Sequence, residues 1–370
     1  MKMKYKKLIA NCYFLFFSSI ILSPYYKGQT IYLYLIIPFL DFYFIKSLFS
    51  IKIDLRKVLI ILLAFSVLVL ELKFFTIIRV SLLIFSILYL FYIKKQGYFY
   101  LYYKYIKFNI IIATFQFILA YVSWEYQYIL NPKYIADFIW GSYSTPVNPN
   151  FYPIFFLKRA SGLSREVGFF ASIITISILL YISDSSIKKK KREIFFLLLG
   201  YIISFSKISL MLPICLILKK YKKKIDSIPL LISSIILLIM MIIISNYLFK
   251  IGFFKYSNIT WSHRLGGFKV IDSYSLGDIF HVVDKIGEII NKYPELKFLN
   301  DIAKYQYFTG ISEIIIHYNF IMFIIGILIL KQFKINTTNF FILTLLTFNT
   351  GYFTMTSYVI LIYFYIFYLK

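Results

Sequence analysis

Long apolar runs separated by short lysine-rich stretches are the main pattern of this chain. Apolar windows fall at Leu8–Pro24, Thr30–Phe49, Val58–Phe74 and Phe75–Ile93, and a fifth follows Lys104 and Lys107 and runs to Trp124. After a polar loop rich in Pro and Asn (TPVNPNFYP, Thr145–Pro153), a sixth covers Gly168–Ile182; Ile228–Phe249 and Ile314–Leu330 follow later. A helix that crosses the hydrocarbon core needs roughly 20 such residues. Two further stretches read as hairpins of short helices: Ile194–Leu218, turning near Ser204–Ser209, and Asn339–Lys370, turning near Thr350–Gly351. The first is flanked by KKKKR and KKYKKK, and lysine clusters at both ends ask the chain to return to the side it left. One crossing there is the alternative, and it would invert everything downstream.

These windows predict an all-α polytopic integral membrane protein with about 12 transmembrane helices. The chain reads as one membrane domain over 1–370 with both termini cytoplasmic, a first extracytoplasmic loop over 123–167 and a long one over 250–312. In the long loop Leu276, Ile279, Phe280, Val283, Ile286 and Ile290 recur at helical spacing, with Asp278, Asp284, Lys285, Glu288 and Lys292 on the other face. That pattern predicts an amphipathic helix lying on the outer membrane surface or capping a cavity. The N-terminal MKMKYKKLIANCYFLFFSSIIL has the basic and apolar regions of a signal peptide but no small-residue cleavage site, so it reads as a retained first span.

Composition agrees with the pattern. Of 370 residues, 60% are hydrophobic and 15% charged, against about 45–50% and about 25% in soluble domains. The net charge of +25 would point to nucleic acid in a soluble protein; here the lysines serve to orient the spans, and no nucleic-acid partner is expected. Cys12 and Cys215 lie in apolar stretches and imply no disulfide or metal framework. The 35 Tyr and Phe at 41 positions lie mostly inside spans, where lipid contact and interface belts account for them. Tyr126, Tyr128, Trp140, Tyr143, Phe151 and Tyr152 form a loop cluster suited to stacking on sugars.

The arginines behave differently from the lysines. The topology puts Arg56 and Arg192 inside, and Arg79, Arg159, Arg165 and Arg264 outside or at the outer membrane edge. A planar, permanently charged fork suits phosphate or diphosphate. The segment LKRASGLSREVGFFASIITISILL (Leu157–Leu180) enters the membrane from that outer side. Arg159 and Arg165 bracket a Ser-Gly-Leu-Ser turn, Glu166 follows, and small residues allow close backbone approach. Arginines, hydroxyls and N–H groups at a helix start make an anion site; snorkelling interface anchors are the bland alternative.

RASGLSREVGFFA (Arg159–Ala171) resembles a segment of bacterial O-antigen and capsule polymerases of the Wzy type and of the related O-antigen ligases. The family pattern is an Arg, a Gly-Leu pair, Glu-Pro-Ser or Glu-Pro-Asn, then small and apolar residues; here Val167 and Gly168 replace the last two of the Glu triplet. IISFSKISLMLPICLI (Ile202–Ile217) is similar to the family's next membrane segment, with Ser206-Lys207 where a Ser-Arg pair is usual. His263-Arg264 of WSHRLGGFKVID (Trp261–Asp272) matches an Arg carried in the family's long outer loop. The resemblance implies a GT-C-like fold and metal-independent glycosyl transfer without a cofactor at the outer face of the bacterial cytoplasmic membrane. The substrates it implies are undecaprenyl-diphosphate-linked glycans, and the protein partners a chain-length regulator and a flippase. Arg159, Arg165, Arg264 and Lys207 are then the diphosphate-binding candidates, and His263, Glu166 and His317 the candidates for the catalytic base, in that order. A lipid-linked oligosaccharide flippase and an O-antigen ligase are the competing readings.

Overall fold

In the computed structural model the structure describes residues 2–50, 55–70, 74–148, 151, 153, 157–186, 189–254, 259–275, 277, 310–348, 350, 352 and 355–368. These residues are helical apart from loops and one two-stranded hairpin pairing Tyr25–Tyr26 with Gln29–Thr30. In chain order the helices are α1 (Lys2–Ser18), α2 (Leu33–Leu40), α3 (Phe42–Leu48), α4 (Leu55–Leu70), α5 (Phe74–Lys95), α6 (Tyr100–Val122), α7 (Trp124–Gln127) and α8 (Pro132–Trp140). They continue with α9 (Val167–Ser183), α10 (Lys191–Ile203), α11 (Met211–Lys220), α12 (Lys222–Ile225), α13 (Leu230–Lys250), α14 (Ile259–Asp272), α15 (Gly310–Gln332), α16 (Thr337–Thr347) and α17 (Ser357–Tyr368).

Among the described residues four helices are long and apolar enough to cross a membrane: α5, α6, α13 and α15. This is a helical membrane protein, and apolar side chains such as Phe75, Ile78, Ile118 and Ile243 stand exposed on these helices as lipid-facing residues should. Shorter apolar helices lie at Val58–Val69, Val167–Ser183, Thr337–Thr347 and Ser357–Tyr368. The window Thr30–Phe49 is two short helices. Pro38 lies inside α2, and Asp41 caps α3 by accepting the Tyr43 and Phe44 N–H groups, both at 3.1 Å. Between α10 and α11 the helical path is interrupted over residues 204–210.

The helices form two compact units. One comprises residues 1–51, 81–214 and 355–369; the other comprises 52–80 and 215–354, with residue 370. In the first unit α6 packs on α1, α7 and α10, and α9 packs on α10 and α17. Every residue from Phe170 to Tyr181 is buried, so α9 is enclosed by protein on all sides. Much of the tyrosine expected at lipid belts lies instead in this unit's core. Tyr13, Tyr34, Tyr89 and Tyr102 are fully buried, and Tyr13 meets Tyr89 at 4.9 Å and Phe17 at 5.2 Å between ring centroids. Each hydroxyl has a partner: Ser86 Oγ for Tyr13, the Met355 carbonyl for Tyr34, Asp41 for Tyr89 and Ser177 for Tyr102. Satisfied hydroxyls let large rings fill a core that aliphatic side chains would otherwise fill.

In the second unit α15 packs on α4, α13 and α14, and α16 joins α12 and α13. Helix α15 breaks at Asn319 (φ 72°, ψ 169°), whose Oδ1 accepts the Met322 N–H at 3.0 Å and so caps the half-helix that follows. The first part of the expected outer loop is helix α14, with Leu265, Phe268 and Val270 buried and the Leu265 carbonyl accepting from Ser245 Oγ at 2.8 Å. The amphipathic helix expected over Leu276–Lys292 falls outside the described residues, apart from Gly277.

Candidate functional site

The stretch Lys158–Glu166 is irregular backbone leading into α9, and such backbone needs hydrogen-bond partners for each peptide group it buries. Side-chain amides supply them. On α6, Asn109 and Gln116 are seven residues apart and so lie on one face; both are fully buried. Gln116 Oε1 accepts the N–H of Ser161 at 3.2 Å and of Gly162 at 2.9 Å, while its Nε2 donates to the carbonyls of Gly162 at 3.1 Å and Leu130 at 2.7 Å. Asn109 Oδ1 accepts the Leu163 N–H at 2.8 Å, and its Nδ2 donates to the Ser18 carbonyl at 2.7 Å. Gln127, at the end of α7, donates to the Arg159 carbonyl. The Ala160 N–H reaches the Ile203 carbonyl at 2.9 Å, tying the loop to the end of α10.

The turn itself depends on Gly162. Its φ is +56°, and a Cβ there would stand 2.9 Å from the Asn109 carbonyl oxygen, so both conformation and space demand glycine. Leu163 fastens the loop from the apolar side, packing with Ile21 and Ala136 beneath Leu22, Ile112, Ile135 and Val147. The loop is therefore a rigid seat, pinned by three amides, one backbone link and one leucine.

On that seat the structure brings together three of the candidates, Arg159, Arg165 and Glu166. Arg159 is 8% exposed and Arg165 and Glu166 are half-buried. Burial pulls the Arg159 pKa down from its ordinary value and Glu166 opposes that; a guanidinium stays charged regardless. Burial raises the Glu166 carboxyl above the usual range, and Arg165 and Arg159 pull it back. Glu166 occupies the extended position just before α9 and makes no capping bond with its side chain. Ser161 Oγ, Ser164 Oγ and Gln127 Oε1, all on or against this loop, are buried without a partner among the described residues.

Lys207 is exposed in the turn after α10, four residues from the carbonyl that holds Ala160. The second unit holds the other candidates. Arg264 is half-buried on α14, while the His263 side chain lies outside the described residues. His317 is half-buried on α15, two residues before the break, with its ring 6.3 Å from Tyr318. Of the loop aromatics, Tyr126 and Tyr143 are about half exposed, but Phe151 is buried against Tyr128 at 5.7 Å, and Tyr152 is outside the described residues.

Three residues that hold this loop, and a buried carboxylate in the second unit, are not among the sequence candidates. Asn109 and Gln116 interrupt FNIIIATFQFILA at helical spacing, which is a readable signal because buried amides in an apolar helix need partners. Gln127 gives no such signal. Glu313, on α15, accepts the Tyr352 N–H at 3.0 Å and interacts electrostatically with Arg79.

Comparisons of the chain with protein-family models, with curated proteins and with solved structures returned no match.

Proposed function

We propose that this protein polymerises lipid-linked oligosaccharide repeat units by glycosyl transfer at the outer face of the bacterial cytoplasmic membrane, with a GT-C-like arrangement of about 12 spans. The observation that carries this reading is the seat at Arg159–Glu166, where two guanidinium groups and a carboxyl sit on backbone fixed by Asn109, Gln116 and Gln127. Preorganised charge of this kind is what transfer from a diphosphate requires. In the step envisaged, an acceptor hydroxyl oxygen bonds to the anomeric carbon of the donor sugar. The bond from that carbon to the diphosphate oxygen breaks, and the diphosphate of the undecaprenyl carrier leaves with the electron pair. Arg159 and Arg165 stabilise the departing charge, assisted by the unpartnered hydroxyls of Ser161 and Ser164. The hydroxyl proton passes to a base. Glu166 suits that role because a carboxyl raised toward neutral pH holds a proton better than an ordinary one. His263 and His317 are the alternatives, with Arg264 and Lys207 as further diphosphate contacts.

The test is Arg159→Ala and Arg165→Lys, scored by surface-glycan chain length at matched protein level. The ladder should collapse to single repeat units in both, because a lysine cannot reproduce the guanidinium fork. Long chains in both variants would remove the diphosphate role and the enzyme class with it.

A further inference from the structure

The first unit carries an exposed aromatic pair on the same packed cluster as the seat. After α1 the chain forms the hairpin of Tyr25–Tyr26 with Gln29–Thr30, closed through Lys27 and Gly28 at φ 46° and 82°. Positive φ at both central residues is what a two-residue hairpin turn requires. Tyr26, at the hairpin tip, meets Tyr143, which ends the short turn after α8; the ring centroids are 6.2 Å apart and the planes 39° apart. The two residues are 50% and 55% exposed. Sequence alone groups Tyr143 with Tyr126 and Phe151, whereas the fold pairs it with the first hairpin.

The backbone under both rings is pinned. Thr145 Oγ1 donates to the Ser23 carbonyl at 2.6 Å, and the Ile31 N–H to the Pro24 carbonyl at 2.8 Å. Both segments also run into the cluster that holds the seat, where Ile21 and Ala136 pack with Leu163, and Leu22 and Val147 pack against them. Tyr26 follows Ile21 by five residues, a stretch of chain that covers at most about 18 Å. The pair therefore stands within an oligosaccharide's length of the Arg159–Glu166 loop.

The exposed side chains beside the pair are polar: Lys27 and Gln29 on the hairpin, Ser142 and Asn148 on the other segment. Lys27 Nζ lies 5.4 Å from the centre of the Tyr26 ring. A face bedded in lipid tails shows aliphatic side chains instead, as α13 does with Ile239 and Ile243.

Resting on the glycosyl-transfer reading of the seat, we propose that Tyr26 and Tyr143 form a platform for a pyranose ring of the glycan whose diphosphate end lies at Arg159. A pyranose has a face of C–H groups and a rim of hydroxyls. A tyrosine ring matches the face, and Lys27, Gln29, Ser142 and Asn148 match the rim. Rigid aromatic rings supply contact area at low cost in conformational entropy. The platform holds the glycan and takes no part in bond transfer.

The test uses the full-length chain in phosphatidylcholine nanodiscs, which carry no sugar. The probe is fluorescently labelled, lipid-free surface polysaccharide from the bacterium that encodes the chain. Wild type should bind it saturably. Tyr26→Ala and Tyr143→Ala should each weaken binding about tenfold, with an unchanged thermal midpoint, as loss of an anchoring aromatic does. Tyr26→Phe and Tyr143→Phe keep the rings and should stay within about threefold of wild type. Tyr100→Ala, at a half-exposed position at the start of α6, should bind like wild type. Wild type without saturable binding, or alanine variants that bind like Tyr100→Ala, would overturn the platform. A lowered midpoint with unchanged binding would do so too, by assigning the pair to the bilayer interface. Arg165→Lys should bind the polysaccharide normally, because lipid-free chains carry no diphosphate. Intact binding beside normal glycan length in that variant would sink the transfer reading and keep the platform; absent binding beside a collapsed ladder would do the reverse.

Discussion

At the scale of single residues, the side chain on which most depends is one without charge. Gln116 makes four hydrogen bonds to the loop and its surroundings, and two of them satisfy buried N–H groups. Gln116→Leu fits the apolar helix but leaves those donors unpaired, at a cost of about 3 kcal/mol or more. The thermal midpoint in detergent should fall accordingly, and a midpoint equal to wild type would mean the loop is not held by this amide. Gly162→Ala should cost about 1–3 kcal/mol from its left-handed conformation, and more if Asn109 cannot withdraw from the added methyl. Glu166 gives a pH signature. Its carboxyl titrates higher in the folded protein than in the unfolded chain, because burial outweighs the arginines. Between those two values the folded state binds more protons, so stability falls as pH rises through that window. A base must be deprotonated, so transfer activity should rise over the same window. Glu166→Gln should flatten the stability slope and abolish the rising limb of activity; a rising limb that survives in this variant assigns the base elsewhere.

Individual helices were legible to the extent that hydrophobic periodicity decides them. The edges of α5, α9, α13 and α15 fall within a few residues of their apolar windows, whereas α6 begins at Tyr100 and takes in Lys104 and Lys107, which the window placed ahead of the span. The break at Asp41 and the break at Asn319 were less visible: each is a single polar residue in an apolar stretch whose side chain bonds backbone N–H groups two or three residues on. The loop over 157–166 could be read as an arginine-bearing turn, but its supports were not legible, since Asn109, Gln116 and Gln127 lie between 32 and 54 residues away from the peptide groups they hold. Close helix packing shows the same limit. Gly200 on α10 looks unremarkable in sequence, yet a Cβ there would lie 2.9 Å from Ile110 of α6 and 3.2 Å from Ile174 of α9. Gly200→Leu should force these three helices apart, costing about 1–3 kcal/mol. Because Ile203 of α10 holds Ala160, the same change should also shorten glycan chains at matched protein level. A stable, fully active Gly200→Leu protein would show that the helices tolerate separation and that the seat does not depend on them.

For the whole molecule, the decisive quantity is which side of the bilayer carries the guanidinium groups. By the positive-inside rule, the lysine clusters at 94–95, 188–191 and 219–224 predict a cytosolic position for those segments. That rule counts charge near span ends and is insensitive to whether a site is catalytic. The arginine seat is built by hydrogen bonds and burial, independently of where those lysines lie. In a cysteine-less background that replaces Cys12 and Cys215, Arg165→Cys should react with a membrane-impermeant thiol reagent added to intact cells. Lys190→Cys, exposed at the start of α10, should react only after the membrane is opened. Labelling of position 165 only after opening would put the seat on the cytosolic side, where polymerisation of exported repeat units cannot occur. Deletion of the gene separates the remaining readings: a polymerase leaves surface glycan at one repeat unit, and a flippase leaves none. Outward labelling at 165 together with single-unit glycan would support the proposed activity from topology and product alike, whereas outward labelling with no surface glycan would keep the site's location and transfer the protein to the flippase reading.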